Sequence, residues 1–106
     1  MKFALNTHKN YTVLELSGEI DLNESPVARK EILKVINQGK NLLVDLSGVE
    51  YIDSSGVASL VEGFQTARAN RLLFALYGVS ASAMQVLQLS RLDSVFTIYN
   101  SLDDVE

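Results

Sequence analysis

A chain of 106 residues, 47% hydrophobic and 21% charged, has the size and balance of one soluble domain with a single core and is too short for two. It carries no cysteine and one histidine, which excludes disulfides and thiolate chemistry and makes His8 a poor start for a metal site or a Ser-His pair. A net charge of −4, with nine basic residues scattered along the chain, argues against a nucleic-acid partner.

No apolar run approaches the roughly 20 residues that cross a bilayer. The first residues, Met1 to Leu16, alternate polar and apolar side chains instead of forming the unbroken apolar core of a secretory signal. Membrane insertion is therefore not expected, and a cytoplasmic location is.

Two segments, Phe3–His8 and Tyr11–Gly18, alternate with period 2 and are joined by His8-Lys9-Asn10, which predicts a hairpin. Thr12, Leu14 and Leu16 fall on one side of the second strand, and Tyr11, Val13 and Glu15 on the other. A polar loop follows, with Gly18 as a turn residue. Ser25-Pro26 then predicts a helix start, with serine as N-cap and proline in the first turn. Ala28, Ile32, Val35 and Ile36 recur at helical spacing up to Gly39, a favourable stop.

Leu42–Leu46 reads as a buried central strand. From about Ser54, the residues Val57, Leu60, Val61, Phe64 and Ala67 form a helical stripe, with Ser59, Glu62, Gln65, Thr66 and Arg68 facing away. Arg71–Gly78 predicts another strand. Ser80–Ser90 predicts a third helix, capped by Ser80 or Ser82, with Met84 and Leu87 turned inward. Ser94–Tyr99 is a last strand, and the acidic tail Ser101–Glu106 either adds a helical turn or frays. Tyr51, Tyr77 and Tyr99 read as amphipathic residues near strand ends. The order β-β-α-β-α-β-α-β implies one α/β domain over residues 1–106, a mixed sheet with an N-terminal hairpin and crossover helices.

The chemistry gathers at Asp53-Ser54-Ser55-Gly56, where a strand region hands over to a helix. Such corners lie at the exposed edge of α/β sheets. Asp53 or Ser54 suits the helix N-cap. A nucleophilic serine fits less well, because the first glycine of G-x-S-x-G is missing and the one histidine lies in the distant hairpin. No G-x-x-x-x-G-K-[ST] pattern is present, so no phosphate loop and no cofactor are expected. The third alternative is a serine phosphorylated by a partner enzyme. A helix start with free amides tolerates the added charge of about −1.5 to −2, and Gly56 leaves room for a kinase to approach. From the residues alone, cap and switch both stand.

Three segments carry a family resemblance: the loop Leu16–Ser25 (LSGEIDLNES), the stretch Asp45–Glu62 (DLSGVEYIDSSGVASLVE), and Val86–Ser101 (VLQLSRLDSVFTIYNS). In order and content they resemble STAS domains, specifically the stand-alone bacterial anti-sigma factor antagonists. The resemblance implies a non-enzymatic protein that binds an anti-sigma factor serine kinase and so releases a sigma factor. It implies phosphorylation of Ser54, which abolishes binding, and a metal-dependent serine phosphatase that restores it. Glu19, Asp21, Asp53, Ser55 and Gly56 would frame the partner surface. Arg91 departs from the pattern, standing where many relatives have glycine. Some STAS domains instead serve as subunits of ABC-type lipid transport complexes, and a constitutive scaffold role of that kind is the alternative.

Overall fold

The computed structural model describes residues 1–106. Two strands open the fold, β1 (Lys2–His8) and β2 (Tyr11–Ile20), paired antiparallel from Lys2↔Ser17 to His8↔Tyr11. Helix α1 (Ser25–Asn37) leads to β3 (Asn41–Ile52), α2 (Ser54–Ala69) to β4 (Phe74–Tyr77), and α3 (Ala81–Leu89) to β5 (Thr97–Tyr99). The sheet order is β1-β2-β3-β4-β5, and every pair after the hairpin is parallel. The mixed sheet and the element order agree with the sequence.

Each crossover from β2 onward steps the same way across the sheet. Right-handed connections then place all three helices on one face. The main core lies there: Leu14, Leu16 and Ile20 of β2 and Leu42, Val44 and Leu46 of β3 meet Ile32, Val57, Leu60 and Leu87 from the helices. The alternation in β2 therefore sorts its side chains as expected. Tyr11 and Val13 point to the opposite face, into a smaller cluster with Leu43, Ala75 and Val105. The acidic tail does not fray. It makes a 3-10 turn at Leu102–Asp104, and His8 Nε2 lies 3.1 Å from the Leu102 carbonyl, so the tail straps the helix-free face.

Several boundaries differ from expectation, and β2 itself runs on to Ile20 with Gly18 inside the strand. Ser25 is not the N-cap of α1 but its first residue, and it is buried; Glu24 occupies the cap position without a side-chain bond. The Asp21 carboxylate instead accepts from the amides of Asn23 and Glu24, both at 3.0 Å. Strand β3 runs on past Leu46 to Ile52, because shifts in register between Glu15 and Ser17 and between Gly18 and Glu19 carry the pairing through its polar Ser47-Gly48. Strands β4 and β5 are shorter than expected. Ser59, expected to face solvent, is buried against α1, and its hydroxyl lies 3.3 Å from the Ser25 carbonyl. Ser80, not Ser82, caps α3; Leu87 is buried, while Met84 is only half-buried.

Arg91 leaves the end of α3 in the form that glycine would give it. The Leu92 amide reaches the Leu87 carbonyl at 2.8 Å and the Arg91 amide the Gln88 carbonyl at 3.0 Å, the paired bonds of a Schellman end. Arg91 holds φ 60°, as Arg71 holds φ 58° after α2. A side chain is penalised in this left-handed region. Arg91→Gly is therefore expected to raise stability by about 1 kcal/mol, read as a higher urea midpoint at unchanged slope.

Candidate functional site

The corner is assembled by three elements ending at one edge of the sheet. Ile20 and Ile52 are register partners at the ends of β2 and β3, and the Asp53 amide donates to the Ile20 carbonyl at 3.3 Å. This brings the Glu19–Asp21 loop beside the Asp53–Gly56 corner, two segments separated by 31 residues or more in sequence.

Asp53 is the N-cap of α2. One carboxylate oxygen accepts from the Ser55 amide at 2.9 Å, the Gly56 amide at 3.3 Å and the Ser55 hydroxyl at 2.5 Å. The amides expected to be free for a phosphate are thus already engaged. These bonds favour the ionised carboxylate, and the Asp53 pKa is lowered, chiefly by the Ser55 hydroxyl, which outweighs the opposing effect of burial, with lesser help from the amides of Gly56, Ser55 and Leu22.

A carboxylate whose pKa falls on folding contributes stability above its unfolded pKa, and loses it as pH drops through the lower folded value. Asp53→Asn is accordingly expected to be less stable than the parent at neutral pH, with the gap closing below the ordinary carboxylate range. Thermal melts at pH 7 and pH 3 check this; a gap that persists unchanged at pH 3 contradicts it.

The two serines differ. Ser55 is half-buried and its hydroxyl is committed to Asp53. Ser54, the first residue of α2, is exposed and its hydroxyl takes no part in the cap. Glu19 is exposed in register with Tyr51. Asp21 lies beside the corner, but its carboxylate is spent on the turn into α1. Gly56 does not open space outward. It is buried, and a Cβ there would lie 2.6 Å from Ile52 Cγ1 and 2.9 Å from Ile20 Cγ2, so its missing side chain serves the close approach of α2 to the strand ends.

Sequence reasoning missed the apolar rim. Leu22 is 73% exposed, and Tyr51, given above as an edge residue, is 49% exposed. Leu22 lies close enough to Asp53 for its amide to help lower the Asp53 pKa, which places that residue at the corner. An isolated leucine in an otherwise polar loop was the available signal. A groove of about 310 Å³ runs alongside, lined by Ser25, Pro26, Arg29, Ser55, Ala58 and Glu62 among others. Arg29 and Glu62 bridge it as an ion pair, with Nη2 3.3 Å from Oε1.

Exposed apolar side chains around one unbonded hydroxyl suit protein docking. They do not suit nucleophilic catalysis, because His8 sits at the other end of the sheet, paired with Tyr11 and held against Leu102.

The STAS domain family model matches residues 2–105. The chain belongs to the STAS domain family. This STAS domain is 31% identical to the anti-sigma-B factor antagonist of Listeria monocytogenes over 87 residues, 80% of this chain and 75% of that one. It resembles the crystal structure of an anti-sigma factor antagonist from Mycobacterium paratuberculosis with TM-score 0.84 and 27% identity, covering 97% of this chain and 88% of the other. The Bacillus cell fate determinant SpoIIAA, solved in its phosphorylated form, shares the fold at TM-score 0.73 and 23% identity, over 96% of this STAS domain and 95% of that chain. No helix of this domain is long and apolar enough to cross a membrane.

Proposed function

We propose that this STAS domain is an anti-sigma factor antagonist that docks on an anti-sigma factor serine kinase through the surface around Ser54, and that phosphorylation of Ser54 switches docking off. The names of its relatives support the class of function, and one observation carries the site. Of the two adjacent serines, Ser54 alone presents an exposed hydroxyl outside the cap.

In the bound state, Leu22 and Tyr51 supply apolar contact area, while Glu19 and Asp53 set the charge. The kinase transfers the γ-phosphoryl group of ATP to the Ser54 oxygen; ADP leaves and the hydroxyl proton is released. The dianion then stands among carboxylates on a surface that has to be desolvated on docking, which disfavours the complex. A metal-dependent phosphatase hydrolyses the ester and returns the hydroxyl. Partner choice changes without refolding, because Asp53 keeps the first turn of α2 capped throughout.

The test is incubation with the anti-sigma kinase encoded in the same genome and ATP, followed by mass mapping. A single phosphate on Ser54, absent from Ser54→Ala, is expected. Phosphate on Ser55 alone, or none from a kinase shown to be active on another substrate, overturns the assignment.

A further inference from the structure

The two edges of the sheet are unequal. β5 is 3 residues long and offers little to pair with. β1 is 7 residues long, pairs with β2 without a bulge, and is exposed from Lys2 to Thr7. Sheet edges are ordinarily blunted by proline, by a bulge or by a charge in mid-strand. β1 has none of these, and its lysine, Lys2, stands at the end of the strand.

The hairpin decides which backbone groups of β1 are free. His8 and Tyr11 are register partners across the link Lys9-Asn10, with Lys9 at φ 54°, a primed turn whose closing pair is hydrogen-bonded. Bonded and non-bonded pairs alternate along an antiparallel ladder. Lys2, Ala4, Asn6 and His8 therefore spend their amides and carbonyls on β2, and those of Phe3, Leu5 and Thr7 point out of the sheet. The side chains of these outward-bonding residues lie on the helix-covered face, since Phe3 and Leu5 are partners of Leu16 and Leu14. No helix crosses over them, because α1 links β2 to β3, and Phe3 and Leu5 stay 45% and 48% exposed.

We propose that β1 is a dimerisation edge: it pairs with β1 of a second copy, antiparallel about a two-fold axis at Leu5, and joins the two sheets into one. In that register Leu5 faces the partner's Leu5 and Phe3 faces the partner's Thr7, so each outward N–H and C=O finds a bond. An axis at Ala4 would also bring outward groups together. It would oppose Thr7 to the partner's Met1, however, and Met1 lies outside the strand with its amino group 3.5 Å from Glu24. Charge selects a second copy over an arbitrary extended peptide. Within each copy His8 meets the Leu102 carbonyl, and Asp103 and Asp104 follow it, exposed. Lys2 falls opposite the partner's His8 on the same face, and so beside those carboxylates, and the two-fold makes this contact twice. Ser54 lies beyond β2 and α1 from this edge. The dimer therefore offers two open Ser54 corners, at opposite ends of the joined sheet.

The test is sedimentation of the full chain from about 10 μM to about 2 mM, with amide exchange followed at both limits; a dissociation constant on the order of 100 μM is expected, since one strand edge buries less than a standard interface. The amides of Phe3, Leu5 and Thr7 should exchange freely at the low limit and be protected at the high one. Leu5→Lys puts like charges on the axis and should weaken the dimer by roughly tenfold or more. The chain has no cysteine, so Leu5→Cys probes the axis directly. Opposed Cα atoms of a bonded pair stand about 5.5 Å apart, within disulfide reach, and oxidation should link two copies far faster than in Leu22→Cys, at a more exposed site. A chain that stays monomeric at the upper limit, a dimer that leaves those amides unprotected, or Leu5→Cys that links no faster than Leu22→Cys overturns the inference. So does protection that appears only when another protein is added, which would make the edge that protein's site.

Discussion

Ser54→Asp is expected to weaken binding to the anti-sigma kinase by on the order of 100-fold, while the domain still unfolds in one cooperative transition near the parent's midpoint. The two halves of this result have separate causes. An acidic residue in the first turn of a helix is favoured by the helix dipole, and the Ser54 side chain is exposed and outside the cap. The fold therefore loses nothing. The docking surface gains a carboxylate beside Asp53 and near Glu19, and a partner shaped to cover Leu22 and Tyr51 must desolvate it without a matching cation, which costs several kcal/mol. Ser54→Ala should bind as the parent does. An aspartate variant that binds normally, or that melts early, shows that the corner is structural and not a switch.

Gly56→Val is expected to cost roughly 3 kcal/mol or more, a large part of the 5–15 kcal/mol, roughly, that holds a domain of this kind folded. The first side-chain carbon alone would sit 2.6 Å from Ile52 Cγ1, 2.9 Å from Ile20 Cγ2 and 3.0 Å from the Ile20 carbonyl. Ile20 and Ile52 are themselves 1% and 2% exposed, so they have no solvent to move into, and the backbone oxygen yields least of all. Relief has to come from lifting the start of α2 away from the strands, which pulls Asp53 from the Ile20 carbonyl. Urea unfolding measures the loss. Gly56→Ala is the milder variant, and helix propensity favours alanine over glycine. A destabilised Gly56→Ala shows that the steric conflict outweighs that gain, whereas a stabilised one would show that the strands give way easily.

The fold was legible where periodicity is simple. In β2, Leu14 and Leu16 alternate with Val13 and Glu15, and both faces landed where the pattern places them, because the strand is covered by helices on one side and by the tail on the other. The stripe Val57, Leu60 and Ala67 likewise faces the core. Long-range contacts explain the misses. Ser59 is polar by composition, yet it is buried because α1 packs beside it and offers the Ser25 carbonyl. The second half of β3 was hidden by Ser47-Gly48, a pair that reads as a turn unless β2 is known to shift register alongside it.

At the site, the cap was visible as Asp53, but the residues could not show that its carboxylate occupies the amides a phosphate would otherwise use. Gly56 was noticed for the wrong side of the helix. The order of importance between Ser54 and Ser55 came from resemblance; the structure adds a physical difference, since Ser55 gives its hydroxyl to Asp53 and Ser54 does not.

The most direct measurement is calorimetric titration of the anti-sigma kinase with three preparations of this chain: unphosphorylated, phosphorylated on Ser54, and phosphorylated and then treated with the phosphatase. Binding by the first, its loss in the second and its return in the third are expected. Equal affinity in all three would contradict the switch and leave the Ser54 corner as nothing more than a well-capped helix start.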